Sequence, residues 1–332
     1  MKSIRLTLAA AVFACAGVTF AAGSALAQES FPNRPVRIVV AFGPGSATDV
    51  TARLLAEHMR PFLGQQVIVD NKPGAYGIIA IEEMARSRPD GHTVMIGNVS
   101  TSAITPRLYR SRFTIDPDKD IAAVSRISVI PGFQLVSPKH MPARTMKEFA
   151  DYARKRPGEI RYSTTGVGAF THYEMEVFQR RAGIEMVHVP IKDGPPAMVR
   201  FILAGEIHIA GMTMPTAAGL VAAGQLLPLA TTYEKRLPEY PDVPTMAESG
   251  FAGVGTPNWS IMYAPAATPR PALEALHAAV TKALNSEGLK AAFKKQLVIP
   301  TPSASIEEAR DWLKKEQDRW EKITTEVKIK LD

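Results

Sequence analysis

Apolar positions along the chain follow two rhythms in alternation. Val36-Arg37-Ile38-Val39-Val40-Ala41-Phe42 is a nearly unbroken apolar run rich in β-branched residues, the pattern of a strand covered on both faces. It ends at Gly43-Pro44-Gly45-Ser46, and a helical spacing then puts Val50, Leu54 and Met59 on one face until Gly64. Residues 66–70 predict a second strand, 78–86 a second helix behind Gly74 and Gly77, and 92–96 a third strand. Alternating strands and helices of this length predict an α/β unit with a largely parallel sheet.

The alternation restarts with an apolar run over 127–136 that has Pro131-Gly132 inside it. Helices are predicted over 146–154, 171–182, 196–204 and 217–223, between strands over 160–163, 186–189, 207–210 and 227–230. After the proline-rich loop 238–244 come a short helix and a strand over 259–263. Two long helices close the chain. The first is expected to start at Thr268-Pro269 as an N-cap and N1 pair, with Leu273, Leu276, Val280 and Leu284 on its apolar face. The second starts at Ser305, with Glu308 at capping-box spacing and Leu313, Trp320 and Val327 at seven-residue steps. Two α/β units fit a two-lobed protein, as a length of 332 residues also suggests.

The first residues have a different character. Lys2 and Arg5 precede an apolar run, and Ala25-Leu26-Ala27 has the small-x-small pattern of a signal peptidase site. Residues 1–27 are therefore read as a secretory signal peptide cleaved after Ala27, which implies export to the periplasm. An uncleaved anchor would need a longer run than this one, interrupted at Gly17 and Gly23. Cys15, the only cysteine, has bulky Phe13 two positions before it, which disfavours lipidation there. A disulfide framework and cysteine-rich metal centres are excluded. The formal charge of +7 falls to +5 without Lys2 and Arg5.

Several chemistries lack their motifs. There is no Gly-x-Ser-x-Gly elbow, no phosphate-binding Gly-x-x-x-x-Gly-Lys-[Ser/Thr], and no Gly-x-Gly-x-x-Gly after the first strand. No two histidines lie three to five residues apart, so no metal is expected. His188 sits in an apolar strand, as a satisfied buried histidine would. Basic residues are scattered without interleaved aromatics, which gives no support to nucleic-acid binding. If the chain were an exported hydrolase, Ser46 with His172 is the only nucleophile–base pairing on offer.

Three loops are rich in Gly, Ser, Thr and Asn, and each follows a strand: residues 43–49, 97–102 and 163–172. Ordinary turn and capping chemistry uses the same residues. Three such loops in two units nevertheless favour a binding site, because ligands of open α/β sheets lie at the carboxyl ends of strands. Helix N-termini and hydroxyls there suit an anionic oxygen ligand such as a carboxylate.

The stretches FPNRPVRIVVAFGPGSATD, NKPGAYG, RPDGHTVMIGN, ITPRLY, VHVPIKDGPPAM, PEYPDVPTMAESG and YAPAATP occur in this order from Phe31 onward. In order and spacing the chain resembles the substrate-binding proteins of tripartite tricarboxylate transporters, the Bug-type extracytoplasmic receptors. The resemblance implies a periplasmic-binding-protein-like α/β fold with two lobes, each a mainly parallel sheet flanked by helices, around a ligand cleft. It implies no catalysis and no cofactor, capture of a small mono- or dicarboxylate by lobe closure, and delivery to the membrane permease of such a transporter. A receptor that passes its signal to a membrane sensor kinase is an open alternative, and a monomer is expected. The lobes are expected at 28–128 with 253–332, and at 129–252, with hinges near 128–134 and 253–258.

By residue match, the carboxylate would be held by Pro44, Gly45, Ser46, Thr48 and Asp49, and by Thr164, Thr165, Gly166, Gly168 and Thr171. Asn98, Ser100, Thr101 and Lys192 complete the polar set. Asp49 is expected to orient its loop or a bound water, since a bare carboxylate would repel the ligand. The chain departs from the family at Ser46, Tyr76 and Asp193, where glycine is common, and at Met212-Thr213-Met214, which replaces a stretch often carrying Asp or Asn. Tyr76 and Met214 would make the pocket more apolar, as an aromatic carboxylate would need. Packing serves the methionines equally well.

Overall fold

The computed structural model describes residues 31–191 and 193–329, without the side chains of residues 214–216. The expected signal peptide and the candidate residue Lys192 lie outside the described residues. The chain runs through β1 (Val36–Val40), α1 (Ala47–Leu63), β2 (Val67–Asn71), α2 (Ile78–Ala85), β3 (Thr93–Asn98) and β4 (Ile121–Ile130). Next come β5 (Gly132–Val136), α3 (Met146–Arg154), β6 (Ile160–Thr164), α4 (Phe170–Ala182), β7 (Met186–Pro190), α5 (Pro195–Leu203), β8 (Ile209–Thr213), α6 (Met214–Ala222) and β9 (Leu227–Thr231). It ends with β10 (Asn258–Pro265), α7 (Arg270–Asn285), α8 (Glu287–Lys295), β11 (Ile299–Pro300) and α9 (Ile306–Glu326).

The strands form a six-stranded sheet in the order β11-β4-β10-β3-β1-β2 and a five-stranded sheet in the order β7-β6-β8-β5-β9. Within each, the strands linked through helices are parallel: β1 with β2 and β3, and β6 with β7 and β8. The sheets are mixed rather than mainly parallel, because β10 and β5 insert antiparallel to their neighbours. β4 and β5 are one extended run divided by Pro131, which has no N–H to continue a ladder, and the chain changes sheet there. At Gly132 a Cβ would stand 2.8 Å from the Met212 carbonyl oxygen, so the close approach of β5 to β8 requires glycine. Gly132 N–H also donates to Thr232 Oγ1 at 3.1 Å, on the segment that leads back to the first sheet.

Helices cover both faces of both sheets. Leu55, Met59, Leu276 and Val280 from α1 and α7 pack with Ile38 and Ile96 on one face of the first sheet. Ile81 and Met84 from α2 join Leu313 and Trp320 from α9 on the other, where Tyr173 of α4 also inserts. Each large side chain buried this way contributes about 1.5–3 kcal/mol of transfer free energy. In the second sheet α3 and α4 cover one face, and α5 and α6 the other.

Local signals explain the helix ends. Gly64 closes α1 in the left-handed conformation at φ 65°, and Ser305 Oγ accepts the Glu308 N–H at 3.1 Å. Thr268 is not the cap of α7. Pro271 supplies the first-turn proline, the helix begins at Arg270, and the Thr268 hydroxyl is buried without a partner. The short helix expected after residue 244 is a hydrogen-bonded turn, with Ser249 N–H on Thr245 O and Phe251 N–H on Met246 O. A further helix, α8, was not predicted; Ser286 ends α7 in extended geometry and caps α8 by accepting from Leu289 N–H at 3.3 Å.

Candidate functional site

The loop between β1 and α1 is organised around Asp49. Gly45, at φ +80°, turns its N–H onto Asp49 Oδ2 at 2.9 Å, and Ser46 Oγ caps the helix by accepting from Asp49 N–H at 3.3 Å. The Asp49 carboxylate also accepts from Asn71 Nδ2 at 2.8 Å and pairs with Arg53 at 3.0 Å. Burial pushes the Asp49 pKa up, but the hydrogen bonds from Arg53, Gly45 and Asn71 outweigh it and hold the group below its ordinary value. Its charge is therefore consumed inside the loop, with only 2% of the residue exposed. Pro44 and Gly45 are exposed, and Ser46 is half-buried.

The segment expected as a loop over 97–102 is instead the end of β3 followed by a helical turn over Ser100–Ile104, and it is tied to the first loop. Asn98 Oδ1 accepts from Thr101 N–H at 3.2 Å, and Thr101 Oγ1 accepts from Asn98 N–H at 3.0 Å. Asn98 Nδ2 then donates to Thr48 Oγ1 at 3.3 Å. Thr48, Asn98 and Thr101 are all buried, so this mesh acts as scaffold. Ser100 is different: half-buried, its Oγ accepts from the main-chain N–H of Phe170 at 3.2 Å. Phe170 is the first residue of α4, which belongs to the second sheet's layer.

The third loop leads from β6 into α4. Thr164 is buried, and its hydroxyl is committed to Gly166 O at 2.9 Å and His188 Nε2 at 2.7 Å. Gly168 N–H donates to His172 Nδ1 at 3.1 Å. Thr165 is exposed and Gly166 half-buried. No side chain from the loop itself caps α4, whose N-cap is Ala169. Beside that terminus Thr171 Oγ1 is buried and has no hydrogen-bond partner. The helix end thus combines a partial positive charge with an unpaired hydroxyl, while the N–H groups of Phe170, His172 and Tyr173 already have partners.

Tyr76 sits at φ 57° and stacks on Tyr109 at 4.5 Å, leaving its other face to solvent. Met214 starts α6, and its side chain is outside the described residues, as is Lys192. Ser46 and His172 are engaged separately, by Asp49 and by Gly168, and do not form the nucleophile–base pairing.

Sequence reasoning missed several participants. Arg53 and Asn71 neutralise and hold Asp49 from one turn along the helix and from the next strand. Ser163 Oγ is a further buried group without a partner near the carboxyl end of β6, and the Ser102 and Tyr263 hydroxyls are buried facing each other near the carboxyl end of β3. The loop compositions contained Ser102 and Ser163, but nothing local marked their hydroxyls as buried.

A cavity of about 610 Å³ lies elsewhere, between α2, α9 and the first sheet, and only Thr101 of the candidate set lines it. The charges at its rim are already paired: Arg107 with Asp118, Arg270 with Glu307, and Lys314 with Asp318. Among the described residues no group of three potential metal ligands occurs, and no helix is long and apolar enough to cross a membrane.

Two mixed-sheet lobes joined by crossing strands, with glycine- and hydroxyl-rich loops at strand ends, define the class of two-lobed solute-binding proteins. Residues 51–329 match the family described as tripartite tricarboxylate transporter family receptor, and the chain belongs to that family. It is similar to protein BugT of Bordetella pertussis, with 29% identity over 332 residues and 100% of both chains covered. Among solved structures it is similar to an R. palustris protein with adipate, at 32% identity and TM-score 0.83, covering 90% of this chain and 99% of that one. It is also similar to MatC from Rhodopseudomonas palustris with bound malate, at 27% identity and TM-score 0.79, covering 88% of this chain and 99% of that one.

Proposed function

We propose that this protein is an exported periplasmic receptor that captures a small organic carboxylate, most simply a dicarboxylate, between its two lobes. It hands that ligand to the membrane permease of a tripartite tricarboxylate transporter and performs no catalysis. The observation that carries the reading is the junction at the N-terminus of α4. There Ser100 reaches across to Phe170 N–H, and the buried Thr171 hydroxyl stands unpaired next to it.

A buried unpaired hydroxyl costs about 1–3 kcal/mol, and a carboxylate oxygen accepting from it removes that cost. The helix end adds favourable electrostatics for an anion. Asp49 does not oppose the ligand, because Arg53, Asn71 and Gly45 already satisfy it. Thr48, Asn98, Thr101, Thr164 and Gly168 serve in this reading as scaffold for the contact surface of Ser46, Ser100, Gly166 and Thr171. The family membership and the adipate and malate carried by two similar structures support the ligand class.

Lobe closure follows if the ligand contacts both lobes, since its differential affinity favours the closed state. A thermal-shift screen across mono- and dicarboxylates, amino acids, sugars and metal cations tests the proposal. A carboxylate should raise the melting temperature in proportion to log concentration, by about 2.7 kcal/mol of stabilisation at a hundred times Kd. Shifts with sugars or cations and none with any carboxylate would refute the ligand class.

A further inference from the structure

His172 on α4 and His188 on β7 stack face to face beneath the third loop, with ring centroids 3.8 Å apart and an interplanar angle of 26°. Their hydrogen bonds define their protonation. Gly166 O can only accept, so the single Thr164 hydroxyl proton goes to it, and His188 Nε2 must carry the proton it shares with Thr164 Oγ1. Gly168 N–H donates to His172 Nδ1, so that nitrogen must be bare. Both rings are neutral Nε2–H tautomers in this geometry.

The two bonds bracket the loop. Thr164 stands at its start, and Gly168, at φ +76°, is the turn that aims Thr171 and the α4 terminus. A proton on His172 Nδ1 would face the Gly168 N–H and break that bond. A proton on His188 Nδ1 would put a cation against the stacked ring. The titratable groups facing the pair are Glu176 and Tyr173 from α4 and Tyr162 from β6. Glu176 is already engaged by Tyr162 OH at 2.6 Å and Gln179 Nε2 at 2.8 Å, and its oxygen lies 3.9 Å from His172 Nε2, beyond a hydrogen bond.

We propose that the stacked His172–His188 pair positions the ligand-binding loop, and that acid releases the loop, and with it the ligand, by charging His172 and breaking its bond to Gly168. The ligand half of this statement rests on the carboxylate-receptor reading above; the positioning half does not. Burial lowers both histidines from 6.5 to about 4, with the neighbouring ring adding to the shift at His188. The release therefore belongs to acid conditions, well below the range of an exposed histidine.

The test uses the full mature chain with adipate as probe and three proteins: wild type, His172→Leu and His172→Asn. Asn places an acceptor where Nδ1 stands but does not titrate. Hydrogen exchange of residues 164–171 at pH 7 should accelerate about fivefold or more in His172→Leu, the loss of one net hydrogen bond, and return toward wild type in His172→Asn. Wild-type adipate affinity should fall more steeply between pH 7 and pH 4 than that of His172→Asn; protonation of adipate itself is common to both. Unchanged loop exchange in His172→Leu, or identical pH profiles for wild type and His172→Asn, would overturn the proposal. If His172→Leu does not fold, the exchange and pH profiles of His172→Asn against wild type decide the matter. Failure of adipate to bind wild type at pH 7 counts against the ligand reading, while loop exchange between pH 7 and pH 4 still decides the positioning: acceleration in wild type but not in His172→Asn supports it, and equal behaviour overturns it.

Discussion

Ser100 Oγ accepts the main-chain N–H of Phe170 at 3.2 Å, across 70 residues of sequence and from one sheet's loops to the other's helix. The bond joins a loop of the first lobe to the helix terminus proposed to hold the ligand. Ser100→Ala removes it without leaving a buried charge. The expected result is a loss of about 0.5–1.5 kcal/mol of apo stability, the contribution of one half-buried hydrogen bond, together with a severalfold weaker affinity for a carboxylate ligand because Ser100 also belongs to the proposed contact surface. Calorimetric titration of wild type and variant checks this.

Asp49 offers a pH test of the first loop. Its folded pKa is depressed below 3.8, so its contribution to stability is present above the unfolded value and is lost as pH falls through the folded one. Asp49→Ala should cost about 1–3 kcal/mol at pH 7, from the loss of a buried acceptor serving Gly45, Asn71 and Arg53. Arg53 is half exposed, so the ion pair itself adds little. The penalty should shrink at pH 3, as urea unfolding at the two pH values would reveal.

Glu174 on α4 behaves in the opposite sense. It is buried against the returning segment, accepting from Thr256 N–H, with Arg319 bonded to Thr256 Oγ1 at 3.1 Å. Burial raises its pKa from 4.5 to about 8, more than Thr256 and Arg319 lower it. A raised folded pKa gives stability that is full below the unfolded value and lost as pH rises through the folded one. Wild type should therefore weaken between pH 5 and pH 9. Glu174→Gln should flatten that slope, and an unchanged slope in chemical denaturation would contradict the assignment.

How much of this was legible in the sequence depends on the range of the interaction involved. Gly64 and Ser305 with Glu308 act within a few residues, and each marked its boundary correctly; the sequence pattern places Pro131-Gly132 inside one strand over 127–136, whereas the strand ends and the chain changes sheet there. Thr268 misled because Pro271, three residues on, set the helix start instead. The glycine- and hydroxyl-rich loops were visible as composition. Which hydroxyls are spent was not: Thr164 depends on His188 from another strand, and Ser100 on a residue of another lobe. His188 looked like an ordinary buried histidine because its stacking partner lies on a separate helix.

Gly132 marks the crossing between lobes, and a Cβ there would press on Met212 O at 2.8 Å. Gly132→Ala should force β5 and β8 apart and lower the melting temperature by several degrees, about 1–3 kcal/mol of strain. If Gly132→Ala keeps wild-type stability, the tight approach is not required.

Thr171 provides the most direct test of carboxylate capture at the head of α4. Thr171→Val replaces a buried unpaired hydroxyl with an apolar group of the same shape, which should leave the apo protein equally or slightly more stable. Titrating wild type and Thr171→Val with adipate by calorimetry at pH 7 should give a Kd at least fivefold weaker for the variant, set against that undiminished melting temperature. Equal affinities for the two proteins would contradict the placement of the carboxylate at this helix terminus.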